Sequence, residues 1–462
     1  MPLFSSIQTK TPQRNTDSAP VLNKEGISMN RLIALLLTFA MALALAGCSA
    51  SATRPERGET SAGAETPELV RVQARYPETP KNAEGYWQVW EDNPVEETFL
   101  SAVNQFAAKT AAKLLREEEG CYSPLSLYYA LALAAEGARG ETAEQLCALL
   151  GTHQEDLSTQ CSNLFRRLYN DSKDATLLIA NSLWMDDEVQ GIPVTFREEY
   201  LKRAAEDYYA SLFTVDFSDS AAGGQIGDWV EENTKGLLRF EPQVNDVQLM
   251  FLLNTIYYKS SWTEPFEKGN TTEDTFTLAD GTEQQVQFMH QTDMDDYYKG
   301  ENYAFGTLYL NHGAMHFYLP DEGVDVHSLL EDETLFTAPL EDPGDHFYEI
   351  HWSVPKFSCD SQWKPMEALR ELGVNVPFRD GADFSAMTDV PAKISSIQQG
   401  THIGVDEEGV EAAAYTAIGM ETSGVMLDPE RVEMNLNRPF LYTLTGESGE
   451  VLFVGICDRV EE

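Results

Sequence analysis

Positive charge is scarce in this chain of 462 residues: 32 Lys and Arg stand against 75 Asp and Glu, a net charge of −43 with histidine neutral. Binding nucleic acid requires clustered Lys and Arg to displace phosphate counterions, so that class of partner is excluded. An acidic surface suits solubility and encounters with cationic partners. Cysteine is scarce too. Only 6 are present, none as a CxxC pair, and a structural zinc site is not expected. Cys121, Cys147, Cys161, Cys359 and Cys457 are widely spaced among apolar residues and read as small core hydrophobes more than a disulfide framework. The 8 histidines include no HExxH. His312 and His316 lie one helical turn apart in sequence, but Asn311-His312-Gly313 separates two strand-like runs. They are expected at a hairpin turn and on its returning arm, not on one helical face, which leaves a metal site little support. GxSxG, a P-loop and GxGxxG after a strand are all missing. Carboxylates are so abundant that no pair of them stands out. Nothing here points to an enzyme, a metal or a cofactor.

Long apolar runs are also few, and the clearest one is near the start. Met29-Asn30-Arg31 precedes the apolar run Leu32–Leu45, which ends in Leu45-Ala46-Gly47-Cys48. A charged start, an apolar run too short to span a bilayer and a small-residue exit describe a secretory signal. The exit resembles a bacterial lipobox, in which the cysteine is cleaved at its amino side and lipidated. An ordinary signal peptide that happens to contain Cys48 is the alternative. Residues 1–28 have no place in such a signal, so translation is expected to begin at Met29. The leader is then 29–47, and the protein is expected at the cell surface or outside, lipid-anchored to a bacterial membrane and touching it only there.

Residues 48–92 are rich in Ser, Thr, Ala, Pro, Glu and Gly with little apolar periodicity, and read as a flexible tether. Residues 93–462 read as one domain. Apolar residues at helical spacing from Phe99 to Leu115 predict a helix. Ser123-Pro124 opens a second, with serine as cap and proline in the first turn. Thr142 and Gln145 suggest a capping box that starts a third. Ala175–Met185 and Gln248–Lys259 are strand-length apolar runs, the second dense enough for burial on both faces. Glycines at 446 and 449 join two strands near the end into a hairpin. The class is α+β with a large antiparallel-rich sheet.

One stretch remains. From Gly409 to Leu427 there is no Lys, Arg or Pro, and most side chains are small. It follows the strand-like Ile403-Gly404-Val405 and the acidic Asp406-Glu407-Glu408. A long structureless loop inside a domain is uncommon and usually functional. Small side chains would let it pack as a strand in a crowded sheet. A flexible linker or a short Ala-rich helix is the plainer alternative.

Motifs in order along the chain resemble the serpin family. They are Ser123-Pro124-Leu125-Ser126 with Ala130-Leu131 and Gly137–Thr142; Asn181–Trp184; Val215–Phe217; Trp229–Thr234; Leu253–Trp262 with Phe266; Phe288-Met289; Val354–Phe357; Ala382–Ser385; Asp406–Ala414; Asn437–Phe440; and Phe453–Gly455. The resemblance implies a fold of three β-sheets with about nine helices and an exposed reactive-centre loop. It also implies a mechanism: a serine protease cleaves the loop, is caught as an acyl-enzyme, and is dragged along as the freed loop enters the main sheet as a new strand. Serpin insertion is a recognised example of strand addition and released strain.

By the same resemblance the hinge is Glu407, Glu408, Gly409, Val410, Glu411, Ala412, Ala413 and Ala414. Its residues suit entry into a sheet, with Glu411 and Tyr415 expected to project outward. Ser123, Ser126 and Asn254 match the shutter beneath the opening sheet. There Gln399 stands where histidine is common, and can hydrogen-bond both ways. Trp262 matches the breach at the top of the sheet. Core packing and polar satisfaction would equally account for these side chains.

Counting from Glu407 places the scissile bond at Ser423-Gly424; counting back from Arg438-Pro439 places it near Asp428-Pro429. The first is preferred, because insertion constrains the hinge side. A small residue before the cut implies elastase-like serine proteases, and Met420 or Met426 would instead admit chymotrypsin- or subtilisin-like ones. The alternative function is a non-inhibitory serpin acting as a binding module at the cell surface. A monomer is expected.

Overall fold

The computed structural model describes residues 70–116, 119–172, 175–295, 297–336, 348–411 and 430–461. They belong to one unit, Thr66–Glu462; the other, Met1–Glu65, lies outside the described residues, as do Cys48 and the expected leader.

Eight strands make the main sheet. Its path is β1 (Val70–Val72), β7 (Ala210–Thr214), β4 (Ala175–Met185), β8 (Met250–Ser261), β17 (Gly409–Val410), β16 (Gln399–Asp406) and β15 (Phe357–Trp363), with β3 (Asn170–Asp171) paired to β4. A six-stranded sheet runs β11 (Tyr297–Lys299), β12 (Tyr303–Leu310), β13 (Gly313–Pro320), β19 (Phe440–Thr445), β20 (Val451–Cys457) and β2 (Gly120–Tyr122). A four-stranded sheet runs β18 (Glu430–Asn435), β14 (Tyr348–Pro355), β10 (Glu283–Asp295) and β9 (Thr272–Thr277). To these three the fold adds a hairpin of β5 (Glu188–Val189) and β6 (Ile192–Pro193). The described helices are α1 (Ala83–Asp92), α2 (Glu97–Leu114), α3 (Pro124–Glu136), α4 (Gly140–Leu150), α5 (Gln154–Leu168), α6 (Glu198–Glu206), α7 (Ala222–Asn233) and α8 (Met366–Glu371).

The apolar density of β8 is explained by what covers it. Phe251 and Leu253 pack with Ile226, Trp229 and Val230 of α7 on one face. Met250, Leu252 and Ile256 pack into the principal core, which holds α3, on the other. Helix α3 is buried along almost its whole length, so no polar stripe is needed and none is present. Leu125 and Leu131 are among its fully buried side chains, each contributing roughly 1.5–3 kcal/mol of burial.

Two sequence expectations need correction here. Residues 70–92 are not all tether: β1 pairs antiparallel with β7, Tyr76 stacks on Tyr169 at 5.1 Å, and α1 follows with Asn82 capping its first turn. Alternation is too short in Val70–Val72 to signal a strand, and the partner is distant in sequence. The capping box fails as well. Helix α4 begins earlier, at Gly140. Thr142 Oγ1 instead accepts the Asp383 N–H at 2.8 Å, and Gln145 Oε1 accepts the N–H groups of Asn375 and Val376. Both side chains satisfy backbone donors of a packed neighbouring segment, a demand that outranks their own helix end.

The other expected elements agree with the fold. Ser123 caps α3 by accepting the Ser126 N–H at 3.2 Å. The β12–β13 turn is Asn311-His312. His312 Nδ1 meets Glu447 at 2.6 Å, whereas His316 is half-buried, bonded to Thr307 and Thr445, and desolvation pushes its pKa down to about 4. Among the described residues no group of three His, Cys, Asp or Glu side chains could hold a metal ion.

Candidate functional site

Strands β8 and β16 would be neighbours in an ordinary sheet, yet among the described residues they share no register of their own. Only Gly409–Val410 joins them: Gly409 opposes Ser261 and Val410 opposes Ser260 on one side, and the same two residues oppose Asp406 and Val405 on the other. The Glu411 N–H carries the pairing one residue further, to the Gly404 carbonyl at 3.0 Å. Gly409 and Val410, two of the residues expected to form the hinge, are therefore seated in the main sheet.

Gly409 has φ +151°, and a Cβ there would lie 2.2 Å from the Ser260 carbonyl oxygen and 2.7 Å from Ser261 Cα. Only glycine fits between the two strands at that point. Val410 follows, 1% exposed, and its β-branched side chain fills the core side. Glu411, at φ +51°, lies on the sheet face opposite Val410, where its carboxylate meets His402 Nε2 at 3.3 Å while Asp360 holds His402 Nδ1 at 2.8 Å. Burial pushes the Glu411 carboxyl up to about 7, with His402 and Lys259 opposing.

The chain before β17 is anchored by Trp262 and Phe266. Trp262 donates its indole N–H to the Asp406 carbonyl at 2.9 Å and its backbone N–H to the Glu408 carbonyl at 3.1 Å. The Phe266 N–H reaches the Glu407 carbonyl at 3.0 Å. Three successive carbonyls are thus held by one short segment. The Asp406 carboxylate accepts the N–H groups of Glu408 and Gly409, turning the chain into the sheet. Glu407 is gripped by Lys356 at 2.9 Å and Thr271 at 2.9 Å. Burial works against its ionisation, yet Lys356, backbone N–H contact and Thr271 together hold its carboxyl below the ordinary value. Glu408 pairs with Lys268 at 2.7 Å on the surface.

Further down, the proposed shutter residues do meet. Gln399 and Ser123 bond reciprocally through carboxamide and backbone, and Ser123 Oγ donates to the Leu452 carbonyl at 2.7 Å. Ser126 Oγ donates to the Asn254 carbonyl at 3.3 Å. Asn254 Nδ2 donates to Asn181 Oδ1 at 2.7 Å, and Asn181 Nδ2 to the Tyr208 carbonyl at 2.6 Å. Asn181 was legible only as part of a motif; its place in this network depends on the β4–β8 register, where it faces Asn254. Lys356 likewise belongs to the Val354–Phe357 motif, whereas His402 has no signal in the sequence, since a lone histidine carries none. Three buried polar atoms on these strands lack a partner, Asn254 Oδ1 and Thr255 Oγ1 on β8 and Thr401 Oγ1 on β16. Ala412, Ala413, Ala414, Tyr415, Met420, Ser423, Gly424 and Met426 lie outside the described residues.

A large sheet parted in its middle by the first residues of a long loop is accompanied by a sequence match. The family model described as "Serpin (serine protease inhibitor)" covers residues 101–459. The chain is a serpin. Among curated relatives, Serpin-Z1C of Triticum aestivum is 30% identical over 358 residues, which is 72% of this chain and 88% of the relative. Two solved serpins have the same fold. The thermophilic serpin Tengpin in its native state is 27% identical with a TM-score of 0.71, covering 84% of this chain and 98% of its own. Serpin48 of the insect Tenebrio molitor, titled a highly specific serpin, is 27% identical with a TM-score of 0.69, covering 79% and 99%. Within this serpin, β8 and β16 flank Gly409–Val410, with Trp262 beside that pair and Gln399, bonded to Ser123, at the other end of β16. Members of the family are in general inhibitors of serine proteases and not enzymes.

Proposed function

We propose that this serpin is a suicide-substrate inhibitor of elastase-like serine proteases, cut at Ser423-Gly424. A protease attacks that bond and is held as an acyl-enzyme. The released strand then continues the pairing that Gly409 and Val410 begin, and the protease is displaced before water completes hydrolysis. The observation that carries this reading is the seating of Gly409–Val410 between β8 and β16, with no direct β8–β16 register among the described residues. Each added residue gains ladder hydrogen bonds on both sides, so insertion is downhill once the loop is free. The small side chains from Ala412 onward and the absence of Lys and Arg up to Leu427 support insertion and a narrow specificity pocket.

The Met29–Gly47 run and Cys48 support secretion and a lipid on Cys48 that holds the protein at a bacterial cell surface. Incubation with pancreatic or neutrophil elastase is expected to give an SDS-stable complex and a released peptide beginning at Gly424. A peptide beginning after Met420 or Met426 would move the bond and the target class. Complete cleavage with no complex would favour a non-inhibitory binding module.

A further inference from the structure

Five cysteines fall within the described residues, all as free thiols, and three of them gather around Tyr442: Cys121 on β2, Cys359 on β15 and Cys457 on β20. Two of the three are drawn together by the backbone. The Cys121 N–H is bonded to Ser361 Oγ at 3.0 Å, and its carbonyl accepts the Trp363 indole N–H at 2.7 Å. Both partners are side chains of β15, the strand that carries Cys359. Cys121 Sγ points at Cys359 itself, donating to its carbonyl at 3.4 Å, while Cys359 Sγ lies 3.6 Å from Ser361 Oγ, the hydroxyl that accepts the Cys121 N–H. Cys457 is turned away by comparison, since its thiol donates to the Arg459 carbonyl at 3.3 Å. Cys147 on α4 and Cys161 on α5 take no part.

We infer that Cys121 and Cys359 form a reversible disulfide that ties β2 to β15, the edge strand of the main sheet. Cys359 is the accessible member, being only partly buried, whereas Cys121 is fully buried. The reaction is exchange with a small disulfide, R–S–S–R. The Cys359 thiolate attacks one sulfur, forming Cys359–S–S–R and releasing RS⁻. The Cys121 thiol then gives up its proton and attacks the Cys359 sulfur, releasing the second RS⁻. Two electrons pass from the protein to the oxidant, and both protons end on released thiols. An extracytoplasmic compartment would favour the oxidised form.

The position of this tie sets what it can do. Cys121 lies two residues before Ser123, and Cys359 lies on the strand that pairs with β16, which supplies Gln399. The disulfide would therefore tie the segment before Ser123 to β15, the neighbour of the strand that the Ser123–Gln399 hydrogen bonds hold. It lies wholly on the β16 side of the seam and does not cross to β8, so it would leave the seam free to open.

The test oxidises the full-length protein with oxidised glutathione, blocks remaining thiols with an alkylating reagent, and maps cross-linked peptides by mass spectrometry without reduction. The expected result is one cross-link, Cys121 to Cys359, with the loss of two hydrogens and a rise in Tm that added reductant reverses. Cys359→Ser should abolish both, and Cys457→Ser should leave both intact. Cys359 is partly exposed, so its serine variant is expected to fold; the Cys457 variant tests the same assignment if it does not. A cross-link from Cys359 to Cys457, a mixed glutathione adduct that never resolves, or full alkylation of Cys121 and Cys359 after oxidation would each overturn the inference.

Discussion

Gln399 holds Ser123 at both ends of its carboxamide: Oε1 accepts the Ser123 N–H at 3.2 Å and Nε2 donates to the Ser123 carbonyl at 2.8 Å. All these groups are buried, and they connect β16 to the start of α3. In Gln399→Ala the Ser123 N–H and C=O both lose their partner. Two buried groups left unsatisfied cost about 1–3 kcal/mol each, less whatever water recovers. Denaturant unfolding of the intact protein should show a drop of that order at unchanged slope. A drop below the range of a surface substitution would mean that the pair is not a structural tie.

Gly409→Ala tests the seat of the hinge. The new Cβ would overlap the Ser260 carbonyl, and neither flanking strand can retreat without breaking its own ladder. The first pair of β17 should be lost. If insertion starts there, more of the protein is consumed as substrate, and the stoichiometry of protease inhibition rises severalfold. An unchanged stoichiometry would show that insertion does not depend on this position.

Trp262→Phe keeps most of the buried ring but removes the donor to the Asp406 carbonyl. The loss should be about 1–3 kcal/mol, the cost of one buried unsatisfied acceptor. It should also loosen the turn that feeds β17, seen as faster amide exchange at Gly409 and Val410. Equal exchange in both proteins would refute the link.

The pH dependence follows from two buried carboxyls. Glu450 is fully buried, and burial, with Glu447 adding to it, pushes its carboxyl up to about 7; Glu411 is raised to about 7 by burial as well. From the ordinary value of 4.5 up to about 7 the native state binds more protons than the unfolded one. Stability therefore falls as pH rises through that window. For Glu450 the change is on the order of 3 kcal/mol. Glu450→Gln should flatten the slope and raise Tm at pH 8 relative to the parent. A parent protein whose stability rises from pH 5 to pH 7 would contradict this.

Much of this fold could be read in advance because its signals are local. Ser123-Pro124 marks a helix start from two residues alone, and Ala175–Met185 is apolar enough to be a strand wherever it lies. The small side chains from Gly409 onward stand out because steric smallness is a composition property, while their reading as a hinge comes from the resemblance. What escaped depends on partners distant in sequence. Thr142 and Gln145 look like a cap until Asp383, Asn375 and Val376 bring unsatisfied donors to them. Alternation puts Glu411 on the face away from Val410, but not its contact with His402, a side chain that the β15–β16 pairing brings there. Val70–Val72 gives no signal, because a three-residue edge strand is specified almost entirely by the edge it joins.

That edge has a consequence for crowding at a surface. An uncovered outermost strand offers unpaired N–H and C=O groups to neighbouring molecules. Here β1 covers β7 at one margin of the main sheet, and at the other the Ser358 N–H is bonded to the Glu461 carbonyl, which blunts β15. Both margins are thus partly closed to sideways stacking. Among the described residues β8 and β16 share no register beyond Gly409–Val410, and a foreign strand seeking that interior site would compete with the chain's own continuation from Glu411, tethered there at high effective concentration.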